Sequence, residues 1–287
     1  MIIETMDDVT EAVLREMHRT LDARTKEILG ALVRHLHAFA REVKLTEREF
    51  QAAVGHVNAI GQRTTASHNE AMLVAGALGL SNLVCLMNNG GDGARPTQAN
   101  NLGPFWRTGS PRCEDGACIV RSPTPGPELR FQGWVRDAQG RPVAGAEVDV
   151  WHPSPVGLYE NQDPAQPDHN LRGRFETDAD GRFHFRSMRP AGYPVPIDGP
   201  CGEMLRAQER HPYRPAHIHF MFSKEGYKTL VTQVFADDDH AIAADVVFGV
   251  TPALSGNFER QPDGSVRLEY DFVMRPGMRR ITKAPLP

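Results

Sequence analysis

Residues 173–187 read GRFETDADGRFHFRS: two short runs, GRFETD and GRFHFRS, on either side of an Ala-Asp turn. Apolar and polar side chains alternate within each run, which is the period of a half-buried strand. The same grammar extends outward in both directions. ELRFQGWVRD (128–137) and AGAEVDVWH (144–152) flank AQGRPV, and AHIHFMFS (216–223), KTLVTQVFA (228–236) and SVRLEYDFVM (265–274) complete the set. Short strands at this pitch, separated by Gly, Pro and Asp turns, argue for an antiparallel β-sandwich.

The first 100 residues follow a different period. In LDARTKEILGALVRHLHAF, Leu21, Ile28, Leu32 and Leu36 recur near every fourth position, as on a helix face. TERE at 46–49 is a capping box, and SHNE at 67–70 repeats the device before AMLVAGALGLSNLVCLM. The helix expected over 68–88 is apolar on most sides, so it must be buried against something, a partner subunit being one candidate. NNGGDGARPTQANNLGPF (88–105) is rich in Gly, Pro and Asn and reads as a loop and domain boundary. The expectation is an α+β chain with a helical domain over 1–100 and an antiparallel β-sandwich domain over 101–287.

Composition narrows the function. The chain has 287 residues, 40% hydrophobic and 24% charged, with net charge −4 and no basic cluster, which argues against a nucleic-acid partner. Mean hydropathy is −0.42, and no apolar run approaches the ~20 residues of a membrane span. The start, MIIETMDDVTEAVLREM, is acidic and amphipathic and lacks the pattern of a signal peptide, so a cytoplasmic protein is expected. None of Cys85, Cys113, Cys118 and Cys201 forms CxxC, in keeping with thiols in a reducing compartment. Cys113 and Cys118 bracket EDGA, but a zinc half-site there has no second half nearby.

Two histidine pairs share an i, i+2 spacing: His35 and His37 in RHLHAF, His217 and His219 in RPAHIHF. On a helix, such residues point roughly 200° apart, which removes the first pair as joint ligands. On a strand they share one face, about 7 Å apart at the backbone, so His217 and His219 can converge on one ion. Ile218 and Phe220 then face the sandwich core. Pro215 cannot donate in a sheet, so the strand enters at an edge or bends there and holds Arg214 beside the imidazoles. A further ligand is required, and spacing does not choose among His152, His169, His184, Asp149 and Asp237.

Three longer stretches carry a resemblance. DVWHPSPVGLY (149–159), RGRFETDADGRFHFRSMRPAGYPVP (172–196) and GEMLRAQERHPYRPAHIHFMFSKEGY (202–227) resemble the intradiol ring-cleavage dioxygenases, non-haem Fe(III) enzymes that open catecholic rings between the two hydroxyl-bearing carbons. The likeness runs across nearly the whole chain. NLGPFW (101–106), YPVPIDGPCG (193–202) and DVVFGV (245–250) resemble the hydroxyquinol 1,2-dioxygenase subgroup, with catechol and chlorocatechol enzymes close by. The resemblance implies Tyr159, Tyr193, His217 and His219 as the Fe(III) ligands. Tyr193 would leave the metal with a substrate proton, and Arg214 would stabilise negative charge on the attacked ring carbon. Gln233 would act as a supporting amide.

The resemblance further implies a flat apolar pocket walled by Leu73, Gly76, Gly103, Pro104, Phe105, Val195 and Pro196, with Arg214 touching substrate. Hydroxyquinol enzymes carry an acidic residue three positions after the equivalent of Leu73, where this chain has Gly76, which leaves room for a bulkier ring substituent. Hydroxyquinol (1,2,4-trihydroxybenzene) and O2 are the expected substrates, giving maleylacetate or 3-hydroxymuconate. A homodimer through the N-terminal helices is implied, with a lipid at its interface. Two other readings compete: a β-sandwich binding module without catalysis, and a zinc or Fe(II) enzyme built on His217, His219 and a carboxylate.

Overall fold

The computed structural model describes residues 2–65, 68–89, 97–281 and 284. Two compact units are present, Met1–Asn58 and Ala59–Pro287. The first contains α1 (Met6–Glu16), α2 (Ala23–Glu42) and the start of α3 (Glu47–Arg63). Each helix start has a local cause. The Asp22 carboxylate accepts the Thr25 N–H at 2.7 Å, and at Thr46 the capping box closes, with Glu49 accepting the Thr46 N–H at 2.9 Å. Leu21, counted into the apolar stripe, lies before α2 and is fully exposed.

The helix expected over 68–88 is instead two, α4 (Glu70–Ala77) and α5 (Leu80–Asn89), bent by 77°. The apolar pattern runs straight through the break. Gly79 causes it: the residue sits at φ +72°, and its N–H bonds back to the Gly76 carbonyl, a left-handed helix ending. Ser67, the cap expected from SHNE, lies outside the described residues. Asn69 caps α4 by accepting the Met72 N–H, while Glu70 turns into the protein to accept the Cys201 N–H at 2.7 Å. Residues 90–96 of the expected boundary loop also lie outside the described residues. Among the described residues, no single helix is long and apolar enough to cross a membrane.

The sandwich is built from β1 (Glu128–Asp137), β2 (Glu147–Trp151), β3 (Arg172–Glu176), β4 (Arg182–Met188), β5 (Tyr193–Pro194), α6 (Pro200–Ala207), β6 (Tyr213–Arg214), β7 (His217–Ser223), β8 (Leu230–Ala236), β9 (Ser255–Gly256), β10 (Glu259–Arg260) and β11 (Val266–Met274). One sheet has the order β10-β11-β1-β4 and the other β3-β2-β7-β8-β9. The pairing is mostly antiparallel rather than wholly so. β1 runs parallel to β11, and β8 to β9. β11 reaches the edge of β1 only after the chain has crossed from the other sheet, which permits a parallel approach.

The turn in GRFETDADGRFHFRS does not close a hairpin. β3 pairs with β2 and β4 with β1, so the turn carries the chain from one sheet to the other. The Asp178 carboxylate organises it by accepting the N–H groups of Asp180 and Arg182. The inward residues on both sides fill the space between the sheets. Phe131 stacks on Phe185 at 4.8 Å and meets Phe220 at 5.0 Å, with Phe272 packed behind. Each buried Phe contributes roughly 1.5–3 kcal/mol. This core leaves the opposite face of β7 and β2 free to carry polar groups.

Candidate metal centre and pocket

β7 alternates as its sequence requires. Ile218, Phe220 and Phe222 enter the sandwich core, while His217 and His219 share the other face with ring centroids 4.9 Å apart. His35 and His37 lie on α2, where His37 Nδ1 meets Thr10 Oγ1 at 2.9 Å. The chain bends at Pro215: β6 ends at Arg214, and β7 begins at His217. The Pro215 carbonyl then accepts from His217 Nδ1 at 2.7 Å. That bond places the proton on Nδ1 and makes Nε2 the lone-pair nitrogen, the one that faces Arg214. His219 lies flat on Trp151, its neighbour across the β2–β7 ladder, with centroids 4.8 Å apart.

Two tyrosines complete a ring of four side chains. Tyr193 on β5 pairs in register with Arg214 on β6, and its ring stands 5.6 Å from that of His217. Tyr159 comes from the loop after β2; its ring is 5.9 Å from Tyr193 and 6.4 Å from His219. That loop is tightly held. Glu160 accepts from the buried Arg172 Nε at 2.7 Å, and Phe105 stacks on Tyr159 at 4.6 Å. Gly157, at φ +83°, permits the approach, since a Cβ there would lie 2.8 Å from the Cβ of Tyr193.

The electrostatics are unusual for a protein interior. All four side chains are essentially buried, and among the described residues the Tyr159 hydroxyl makes no hydrogen bond of normal geometry. Burial raises the pKa of Tyr159 and of Tyr193 above the ordinary phenol value. Burial, with the Arg214 charge added, pushes His217 down to about 3, and burial with His217 beside it holds His219 well below its usual range. Both imidazoles are therefore neutral, the form that binds metals.

Arg214 is buried beside this ring. Its Nε and Nη2 donate to the two oxygens of Asp245 at 3.0 and 3.1 Å, Nη2 also donates to Gln233 Oε1 at 2.9 Å, and Nη1 lies 3.2 Å from His217 Nε2. Burial opposes charge on both partners, yet the ion pair prevails: Asp245 is held below the ordinary carboxylate range and Arg214 above its own. Gln233, level with His219 on β8, donates through Nε2 to the Asn101 carbonyl at 2.7 Å. It supports Arg214 rather than an imidazole.

The other candidate ligands are engaged elsewhere. His152 bonds Pro153 and Ser187, Asp149 accepts from Trp106, His184 pairs with Asp115, His169 lies beside Asp168, and Asp237 accepts the Phe258 N–H. Among the described residues, no group of three or more His, Cys, Asp or Glu is placed to hold a metal, which excludes the His-His-carboxylate arrangement and the Cys113/Cys118 zinc site alike.

A cavity of about 80 Å³ opens against Tyr193 and Arg214. Leu73, Gly76, Gly103, Pro104, Phe105 and Val195 line it, and Pro196 does not. The Val195 N–H bonds the Pro212 carbonyl, and the strand-like alternation that turns Val195 inward turns Pro196 away. Val247, Met72 and Ser81 also line the cavity; none was singled out in the sequence, though Val247 lies in the DVVFGV run. Val247 partly fills the room expected beside Gly76, since a Cβ on Gly76 would stand 3.1 Å from Val247 Cγ1.

Helical start, mostly antiparallel sandwich, and a buried Tyr-Tyr-His-His ring backed by Arg214 define a ring-cleaving dioxygenase scaffold. The sequence matches the Dioxygenase family over residues 102–276 and the catechol dioxygenase N terminus over 22–95. It is 43% identical to 6-chlorohydroxyquinol 1,2-dioxygenase of Cupriavidus pinatubonensis, covering 94% of this chain and 97% of that one. It is 40% identical to hydroxyquinol 1,2-dioxygenase of a Rhizobium species, covering 92% and 89%. The crystal structure of hydroxyquinol 1,2-dioxygenase from Pseudomonas putida superposes with TM-score 0.86 at 37% identity, covering 95% of this chain and 99% of that one. The chain belongs to the intradiol ring-cleavage dioxygenases, which are oxidoreductases.

Proposed function

We propose that this protein is a non-haem Fe(III) dioxygenase that opens hydroxyquinol, or a ring-substituted hydroxyquinol, by inserting both atoms of O2 between the two adjacent hydroxyl-bearing carbons. The observation that carries the metal assignment is the buried ring of Tyr159, Tyr193, His217 and His219, which brings two phenols and two imidazoles together. Buried phenols ionise only beside a cation, and phenolate is a hard anion that favours Fe(III) over Fe(II). These four residues would hold the iron. When bound, the ferric ion supplies Lewis acidity that draws electron density from a chelated ring and opens a ring carbon to O2.

The chain's own groups do the rest. Tyr193 Oη, as phenolate, takes a proton from one substrate hydroxyl. The Arg214 guanidinium offers fixed positive charge where negative charge grows on the attacked carbon. Leu73, Pro104, Phe105 and Val195 keep water from the ring. The relatives named for 6-chlorohydroxyquinol and hydroxyquinol support the substrate class, and Gly76 favours tolerance of a ring substituent. Half-exposed Leu32, Leu36 and Phe39 on α2 support a homodimer through the helical part, and four free cysteines support a reducing, cytoplasmic setting.

Ring-fission assays on hydroxyquinol, chlorinated hydroxyquinol and catechol test the substrate. Hydroxyquinol should give a higher kcat/KM than catechol; the reverse order would favour the catechol enzymes. Gly76→Ala should lower kcat/KM for the chlorinated ring relative to hydroxyquinol by about 10-fold or more, because a methyl group pressed on Val247 shrinks the pocket. An unchanged ratio would remove Gly76 from substituent selection.

A further inference from the structure

Arg214 has five N–H donors, and the structure accounts for how most of them are used. Nε and Nη2 are held by Asp245, and Nη2 is held also by Gln233. Among the described residues, only Nη1 is left facing the ring of candidate ligands. Asp245 is in turn fixed by its own loop. Its Oδ2 accepts the Gly249 N–H at 2.9 Å and its Oδ1 accepts the Val247 N–H at 3.4 Å.

The loop is clamped at two further points. The Asn100 amide donates to the Gly249 carbonyl at 2.6 Å, and the Asn82 amide donates to the Phe248 carbonyl at 2.5 Å. Phe248 takes φ +59°, an uncommon conformation for a bulky residue. Gly249 leaves no room for change. A Cβ there would lie 3.0 Å from Asp245 Oδ2, 3.2 Å from Arg214 Nη2 and 3.2 Å from Asn100 Oδ1.

From this geometry we infer that Asp245 is a positioning residue for Arg214: its carboxylate locks the guanidinium so that Nη1 alone is turned toward the reacting ring. The inference rests on the dioxygenase reading above. A guanidinium free to swing would hold its charge away from the attacked carbon for part of the time. One locked by two charge-assisted bonds is already aimed at the charge that develops later, so its contribution appears in kcat rather than in KM. The same clamp sets Val247 against the pocket, so one loop serves both the wall and the charge.

The test uses the iron-loaded full chain. Asp245→Asn keeps the shape but puts a donor where an acceptor stood. It should lower kcat on hydroxyquinol by about 10- to 100-fold, with KM and iron content unchanged. In an Arg214→Gln background, the same substitution should change kcat by less than about twofold, since the group it positions is gone. A wild-type kcat in Asp245→Asn overturns the inference, and so does an equal loss in both backgrounds.

If Asp245→Asn does not fold, Gly249→Ala, which keeps both charges and wedges the loop, should show the same selective loss of kcat. Wild-type kcat there overturns the inference. If the wild-type enzyme proves inert on every ring tested, the functional reading fails by itself. The metal-free crystal structure of Asp245→Asn then decides: Nη1 turned away from His217 supports the positioning role, and an unmoved guanidinium overturns it.

Discussion

Tyr193→Phe lowers kcat on hydroxyquinol by about 10²- to 10⁴-fold, the range of a lost general base. The fold should hold, because phenylalanine keeps the ring contacts with Tyr159 and His217 and the main-chain pairing with Arg214. Only the hydroxyl is lost, a change worth at most about 1.5 kcal/mol in stability. Its loss removes both a candidate iron ligand and the acceptor for a substrate proton, so iron should also be retained less well. Thermal melting, iron content and steady-state kinetics separate these effects. Unchanged turnover with full iron would mean that another group takes the proton.

Arg214→Gln combines a chemical and a structural loss. Removing the guanidinium leaves the Asp245 carboxylate buried without its counter-charge, since both side chains are almost wholly enclosed. Stranding one member of such a pair costs about 3–5 kcal/mol, which a domain of about 5–15 kcal/mol total stability survives. The fixed positive charge beside the ring disappears as well, and kcat should fall by about 10²- to 10³-fold. Adding Asp245→Asn removes the stranded charge, so the double variant should recover much of the stability but none of the rate. Urea denaturation measures the first effect and turnover the second. A stability loss under about 1 kcal/mol would show that the pair behaves as a solvated one.

Much of the architecture was legible because it depends on local period. Alternation identified the strands, the capping box at Thr46 set a helix start, and strand geometry turned His217 and His219 to one face while dismissing His35 and His37. Period fails where a single residue overrides it: the apolar run 71–80 passes through Gly79 without interruption, yet Gly79 ends one helix there and the next begins at Leu80. Period also says nothing of pairing. Strands β3 and β4 flank one turn and still belong to different sheets.

The site was less legible for a related reason. Tyr159 and Tyr193 lie far from RPAHIHF in sequence, and only resemblance selected them. Asp245 sits in DVVFGV, a run that contributed to the resemblance without a role for its acid. Its function depends on Arg214, 31 residues away and met only in the folded chain.

The most direct test is the visible absorption spectrum of purified, iron-replete protein, taken beside that of Tyr159→Phe. Phenolate bound to Fe(III) should make the wild-type protein reddish-brown through charge transfer, and the band should shift or weaken when Tyr159 loses its hydroxyl. A colourless, iron-free protein that opens hydroxyquinol at full rate would contradict the Fe(III) centre built from Tyr159, Tyr193, His217 and His219.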